Sequence, residues 1–218
     1  MSAGASPLTH FKVFMSVIFF LMGKSVSGKD TLGRMLLADK NLSLKPVMLC
    51  TTRPMREGEK DGREYIFCDE KKLSDYREQG KVVEERVYHT VQGDWYYFTP
   101  ADEGLIKDLE TGRQDYLALG TLEAYISYRD HFGKSGVIPV YVEVDDDIRL
   151  IRAVERERRQ QHPDYKELCR RFLADEEDFS PDKLKAEGIE KIFYNNGETE
   201  ECYSKIVEYI DKCRSGGI

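Results

Sequence analysis

Residues Gly23-Lys24-Ser25-Val26-Ser27-Gly28-Lys29-Asp30-Thr31 constrain this chain more than any other stretch. The apolar run Val17-Ile18-Phe19-Phe20-Leu21-Met22 precedes them, and an amphipathic run from Leu32 to Ala38 follows. Strand, glycine-framed loop and helix in that order is the setting of a P-loop. Phosphate oxygens need many donors in a small concave space. Gly23 and Gly28 allow the backbone to turn and bring its N–H groups close. The helix that starts near Lys29 adds its partial positive end, and the Lys29 ammonium reaches the outer phosphates. The stretch from Gly23 to Thr31 therefore predicts nucleoside triphosphate binding, with magnesium. At one position the motif departs from G-x-x-x-x-G-K-[ST]. Asp30 stands where a Ser or Thr hydroxyl would meet the metal, and Thr31 comes one residue later.

The 218 residues suffice for one substantial α/β domain with insertions, and a hydrophobic fraction of 40% is enough for a core. The net charge of −7 argues against a nucleic-acid polymer as partner, so anionic substrates must be held by local Arg and Lys clusters. Five cysteines, at 50, 68, 169, 202 and 213, include no C-x-x-C pair. Their odd number fits a reduced, cytoplasmic setting better than a disulfide framework or a zinc site. Phe11 to Met22 is too short to cross a bilayer and reads as the first buried strand. Residues 1–14 read as a loose tail, and Met15 as a candidate second start.

Apolar periodicity predicts strands at 13–22, 47–50, 65–67, 82–88, 94–98, 116–119, 137–144 and 192–194. Helices are expected at 29–40, 71–79, 101–111, 121–132, 148–160, from 164 to about 178, and at 199–213. Strand alternating with helix gives a parallel sheet covered by helices on both faces. In this division 15–51, 100–147 and 179–218 form the core, 52–99 an insertion, and 148–178 a lid.

Thr51-Thr52-Arg53-Pro54-Met55-Arg56 places two arginines three apart in a loop that follows a strand. Arginine forks suit phosphate, and ligands bind at strand ends in parallel sheets. On spacing alone, a solvated charged loop accounts for them equally well. The longer segment Thr51-Thr52-Arg53-Pro54-Met55-Arg56-Glu57-Gly58-Glu59, followed by Gly62 and Tyr65-x-Phe67, resembles the GMP-binding signature of the guanylate kinases. That resemblance, with the P-loop, implies a P-loop kinase with a GMP-binding insertion and a helical lid, acting on ATP and GMP with magnesium. By position it implies that Arg53, Arg56, Tyr65 and Tyr97 hold the GMP phosphate, and that Glu84 and Thr99 read guanine. It also implies that Lys29, Arg152, Arg156 and Arg171 act on the transferred phosphoryl, and that Asn195 meets adenine. Without the resemblance, Glu84 is a strand-face carboxylate and Tyr97 a packing aromatic. The arginines between 149 and 171, interleaved with Glu155 and Glu157, then form a salt-bridged surface helix.

The family places an Asp-x-Asp pair at the end of the strand that here reads Leu117-Ala118-Leu119-Gly120. Asp30 is read as compensating for that loss, returning a carboxylate to the metal with Thr31 as second ligand. Ribose 1,5-bisphosphate phosphokinases, which can carry Gly-Lys-Asp in the loop, are the alternative enzyme reading. A non-catalytic module binding phosphorylated peptides is the alternative of another class. The sequence is compatible with a monomer or a homodimer.

Overall fold

The computed structural model describes residues 15–56, 58–63, 65–90 and 93–216. The expected N-terminal tail, 1–14, lies outside them. The strands are β1 (Ile18–Gly23), β2 (Lys45–Pro46), β3 (Cys50–Thr51), β4 (Ile66–Phe67), β5 (Val82–Thr90), β6 (Gly93–Pro100), β7 (Tyr116–Gly120), β8 (Val137–Glu143) and β9 (Ile192–Tyr194). The helices are α1 (Lys29–Ala38), α2 (Glu70–Glu78), α3 (Glu103–Thr111), α4 (Leu122–Phe132), α5 (Asp146–Arg158), α6 (Tyr165–Asp178), α7 (Pro181–Ala186) and α8 (Thr199–Arg214).

β1 is buried at every position, as a strand covered on both faces must be. It sits at the centre of an all-parallel sheet of order β2-β7-β1-β8-β9. Ile18, Phe20 and Met22 face one core with Leu105 and Leu109 of α3 and Tyr125 and Tyr128 of α4. Phe19 and Leu21 face the other with Leu32 and Leu36 of α1 and Ile206 and Ile210 of α8. The period of two in the strand thus assigns each residue its layer. Side-chain caps fix where the helices begin: Asp102 accepts from Leu105 N at 2.8 Å, and Thr121 from Ala124 N at 3.3 Å.

A second sheet, order β4-β3-β6-β5, is built from residues 50–100. Its β3–β6 and β5–β6 pairs are antiparallel. The expected single strand over 47–50 is divided between the two sheets. Lys45–Pro46 pairs with β7, and Val47 N donates to Leu117 O at 2.9 Å before the chain leaves the core. Cys50–Thr51 then joins β6. The short α7, with Pro181 in its first turn, was not expected from periodicity, because six residues carry too little of it. All five cysteines are free thiols. No helix among the described residues is long and apolar enough to cross a membrane.

Phe20 is 1% exposed and meets Tyr125 and Tyr128 edge-on, with ring centroids 5.8 and 4.9 Å away. Phe20→Ala should cost about 3–5 kcal/mol of stability. Denaturant unfolding checks this, and a midpoint unchanged from the parent would contradict it.

Candidate active site

The carboxyl ends of β1, β7 and β8 meet at the loop 23–28. A Cβ on Gly23 would lie 2.5 Å from Val142 O, so only glycine lets β1 turn there. Val26 and Gly28 adopt φ of 64° and 88°, and Gly28 caps α1. Behind the loop, the Asn195 amide donates to Ser27 O at 2.8 Å. Asn195 is 2% exposed, and its Oδ1 and Ser27 Oγ are buried without a hydrogen-bond partner. The Asn195 donor group, expected to meet adenine, is engaged here with the loop backbone.

Gly23, Ser25, Lys29 and Asp30 line a cavity of about 240 Å³, closed by Arg86, Gly120, Thr121, Asp175 and Asp178. Lys29 Nζ is 3.3 Å from Asp30 Oδ1. Ser25 N donates to Asp175 Oδ2 at 2.8 Å, so one loop amide already faces an anionic oxygen. Lys24 belongs to the loop through its backbone, and its side chain turns away from the cavity. Its ammonium is buried against Glu176, Glu143 and Asp146, at 2.9, 3.7 and 3.8 Å, and only its backbone remains with the loop. Thr31, expected as a second metal ligand, accepts from Arg34 through Oγ1 at 3.3 Å and does not line this cavity.

The loop that begins at Thr51 is stitched to β6 by Thr51 Oγ1 donating to Tyr96 O at 2.9 Å and Tyr96 N donating to Thr52 Oγ1 at 3.0 Å. Arg53, 4% exposed, has spent most of its fork. Nε donates to Tyr97 OH at 2.9 Å, Nη1 to Pro54 O and Glu59, and Nη2 to Glu59 at 2.6 Å. Of the five N–H groups of a guanidinium, one on Nη2 is left for a ligand. Arg53 and the amide of Arg56 hold the Glu59 carboxyl well below the usual range, at about 2. Arg56 is exposed, and it lines a pocket of about 390 Å³ with Tyr65, Arg86, Tyr88, Trp95 and Tyr97. The Tyr65 and Tyr97 rings meet at 5.5 Å.

Glu84 and Thr99 face each other across β5 and β6. Glu84 is 8% exposed, and burial raises its carboxyl above the ordinary value, opposed by the Arg86 guanidinium, whose Nη2 donates to Glu84 Oε1 at 3.1 Å. Tyr128 OH donates to Thr99 Oγ1 at 2.9 Å, which leaves the Thr99 hydroxyl hydrogen free to donate elsewhere.

In α5 and α6, Arg156 and Arg171 line a cleft beside Ser25 and Val26, with Phe172 and Asp175. Arg171 is also paired to Glu167 at 2.8 Å. Arg152, expected beside them, does not line this cleft; its Nη1 donates to Asn195 O at 2.8 Å and braces the turn after β9. Arg149 is 1% exposed, binds Asp146, Asp175 and Glu176, and lies 3.7 Å from the Phe172 ring centroid. Glu59, Arg86, Asp175 and Asp178 were missed in the sequence. Glu59 sat inside the recognised motif without a role, and nothing local marks the other three.

A guanylate kinase family model matches residues 16–97, from β1 through Tyr97. Guanylate kinase of Bordetella pertussis is 39% identical over 85 residues, which are 39% of this chain and 37% of that protein. The Nitrobacter winogradskyi enzyme is 44% identical over 69 residues, 31% of each chain, and that of Caldanaerobacter subterraneus 34% over 104, 47% of each. The chain is related to the guanylate kinases. The matched segments span between about a third and a half of the length of these relatives. The crystal structure of guanylate kinase from Anaplasma phagocytophilum superposes with a TM-score of 0.61 at 18% identity, covering 94% of this chain and 91% of that one. The guanylate kinase fold thus extends through the part of the chain where sequence similarity fades.

Asn195→Ala should leave Ser27 O without its donor and weaken ATP binding about tenfold, since an orphaned buried acceptor costs about 1–3 kcal/mol. Titration with ATP and with inorganic triphosphate distinguishes the two roles. Loop shaping predicts equal losses for both ligands, and an adenine contact a loss for ATP alone.

Proposed function

We propose that this protein transfers the γ-phosphoryl of ATP to GMP, giving ADP and GDP, with magnesium. The observation that carries this reading is the Glu84–Thr99 pair, a buried acceptor facing a buried donor. Guanine offers N–H donors at N1 and N2 beside the O6 acceptor, and a carboxylate next to a free hydroxyl hydrogen matches that order. Arg56, Tyr65 and Tyr97 are proposed to hold the acceptor phosphate, with Arg53 orienting Tyr97 and adding its last N–H. Residues 52–99 then serve as the GMP-binding insertion and 148–178 as the lid. The same division assigns 15–51, 100–147 and 179–218 to the ATP-binding core.

On the donor side, the backbone from Gly23 to Thr31 wraps the phosphates and Lys29 faces the outer ones. Asp30 and Asp178 place hard carboxylate oxygens in that cavity, a donor set that suits magnesium, which keeps most of its waters. Among the described residues no cluster of three or more His, Cys, Asp or Glu forms a metal cage, as befits an ion carried largely by ATP. Bound magnesium would neutralise phosphate charge. Arg156 and Arg171 are positioned to close over the loop and exclude water, which limits ATP hydrolysis. No protein base is needed, because the attacking phosphate oxygen is already anionic.

The test is ADP release with ATP and magnesium against GMP, dGMP, AMP, UMP, CMP and ribose 1,5-bisphosphate. Preference for GMP is expected. Turnover with the ribose compound alone overturns the guanine site but keeps the donor site, and ATP binding without turnover of any acceptor points to a phosphopeptide-binding module. Arg56→Ala should raise the GMP KM about 10- to 100-fold, the worth of a charged hydrogen bond.

Guanine recognition needs Glu84 ionised, and burial raises its pKa above 4.5. The unfolded chain ionises this group first as pH rises, so its burial favours folding only on the acid side. The GMP KM should therefore climb as pH falls, starting above the range of an ordinary glutamate, and Glu84→Gln should abolish that limb.

A further inference from the structure

We propose that Arg86 is a catalytic residue that bridges the acceptor phosphate and the phosphoryl group in flight. The proposal rests on the ATP:GMP transfer reading and adds to it a residue that neither the motif nor the expected lid contains. Arg86 is the one cationic side chain, among the described residues, that lines both the acceptor pocket and the P-loop cavity. The acceptor pocket's other cation is Arg56, and the P-loop cavity's is Lys29. In transfer, the bond from the acceptor oxygen to the γ-phosphorus forms as the bond from that phosphorus to the β,γ-bridging oxygen breaks. ADP leaves with the electron pair, and no proton moves. Negative charge is then densest at the junction of the two pockets, where Arg86 stands.

Its hydrogen bonding fits a ligand to come. Nη2 donates to Glu84 at 3.1 Å, while Nε is buried with no partner. Nε is closed off, so a phosphate oxygen would meet the outer end of the guanidinium, on a side chain 36% exposed. Arg86 lies opposite Tyr97 in the β5–β6 ladder, beside the hydroxyl proposed to meet the acceptor phosphate. Across the cavity β7 ends in Gly120, where a Cβ would stand 2.7 Å from Phe20 Cζ. A side chain at that position would need Phe20 to shift, and with glycine there no carboxylate faces Arg86 from 120.

Calorimetric titration separates bridging from mere support of Glu84. The ligands are guanosine, GMP, a non-hydrolysable ATP analogue, and a pentaphosphate joining adenosine to guanosine, each tested on the unaltered protein, Arg86→Met and Arg86→Lys. In Arg86→Met the joined ligand should lose about 10- to 100-fold more affinity than GMP and the ATP analogue lose together. Arg86→Lys, which keeps a counter-charge for Glu84, should recover guanosine binding but only part of the joined ligand's. A loss equal for guanosine, GMP and the joined ligand assigns Arg86 to Glu84 alone and overturns the bridge. If the unaltered protein binds the ATP analogue but neither GMP nor the joined ligand, the acceptor reading itself fails, and the bridge with it.

Discussion

The site is referred to one close approach. Gly23, the last residue of β1, lies against the carbonyl of Val142 in β8 so tightly that a Cβ would be 2.5 Å from its oxygen. That contact lets the chain turn out of the central strand and directly into α1. Asn195, arriving from the end of β9, then fixes the same loop through Ser27 O. Gly28 admits that amide, because a Cβ there would collide with Asn195 Nδ2. Three strand ends thus determine the loop, and its shape follows from core packing before any ligand arrives.

Charge is distributed by the same logic. In a chain of net charge −7, Lys24 and Arg149 are buried among Glu143, Asp146, Asp175 and Glu176. Buried ions are tolerated only when paired, and here each cation meets several carboxylates. The network ties the C-terminal end of α6 to the loop, where Asp175 also receives Ser25 N. Asp178, near that anchored end, lines the P-loop cavity, while Arg171 lies farther back along the helix. Two residues with the look of phosphate ligands, Lys24 and Arg149, are therefore fixtures of the scaffold.

What the sequence made legible follows from where the signals are local. The β1–loop–α1 unit was readable because glycine spacing and apolar periodicity mark it within a few residues. The strand at 47–50 was misread because apolar composition does not say which sheet a strand joins. Pro46 still pairs with β7 and Cys50 already pairs with Phe98. Long-range hydrogen bonds, invisible in sequence, engage polar groups of Arg152 and Asn195. Arg86 was overlooked because alternation places it on the face of Glu84, where one more strand charge looks ordinary.

Tyr128 shows how the β4-β3-β6-β5 sheet is held against the core. Its ring packs edge-on against Phe20 of β1, and its hydroxyl donates to Thr99 of β6. One side chain of α4 thus joins the central strand to the residue opposite Glu84. The Tyr128 hydroxyl is fully buried and its pKa is raised, so it stays a neutral donor at every physiological pH. Thr99 Oγ1 accepts from it at 2.9 Å, which leaves the threonine's own hydrogen free to donate. The polarity of the Glu84–Thr99 pair, proposed to read guanine, is in this way shaped by an aromatic packed on the central strand. The departure at Gly120 belongs to the same arrangement, since Phe20, which supports Tyr128, also occupies the space that a side chain at 120 would need.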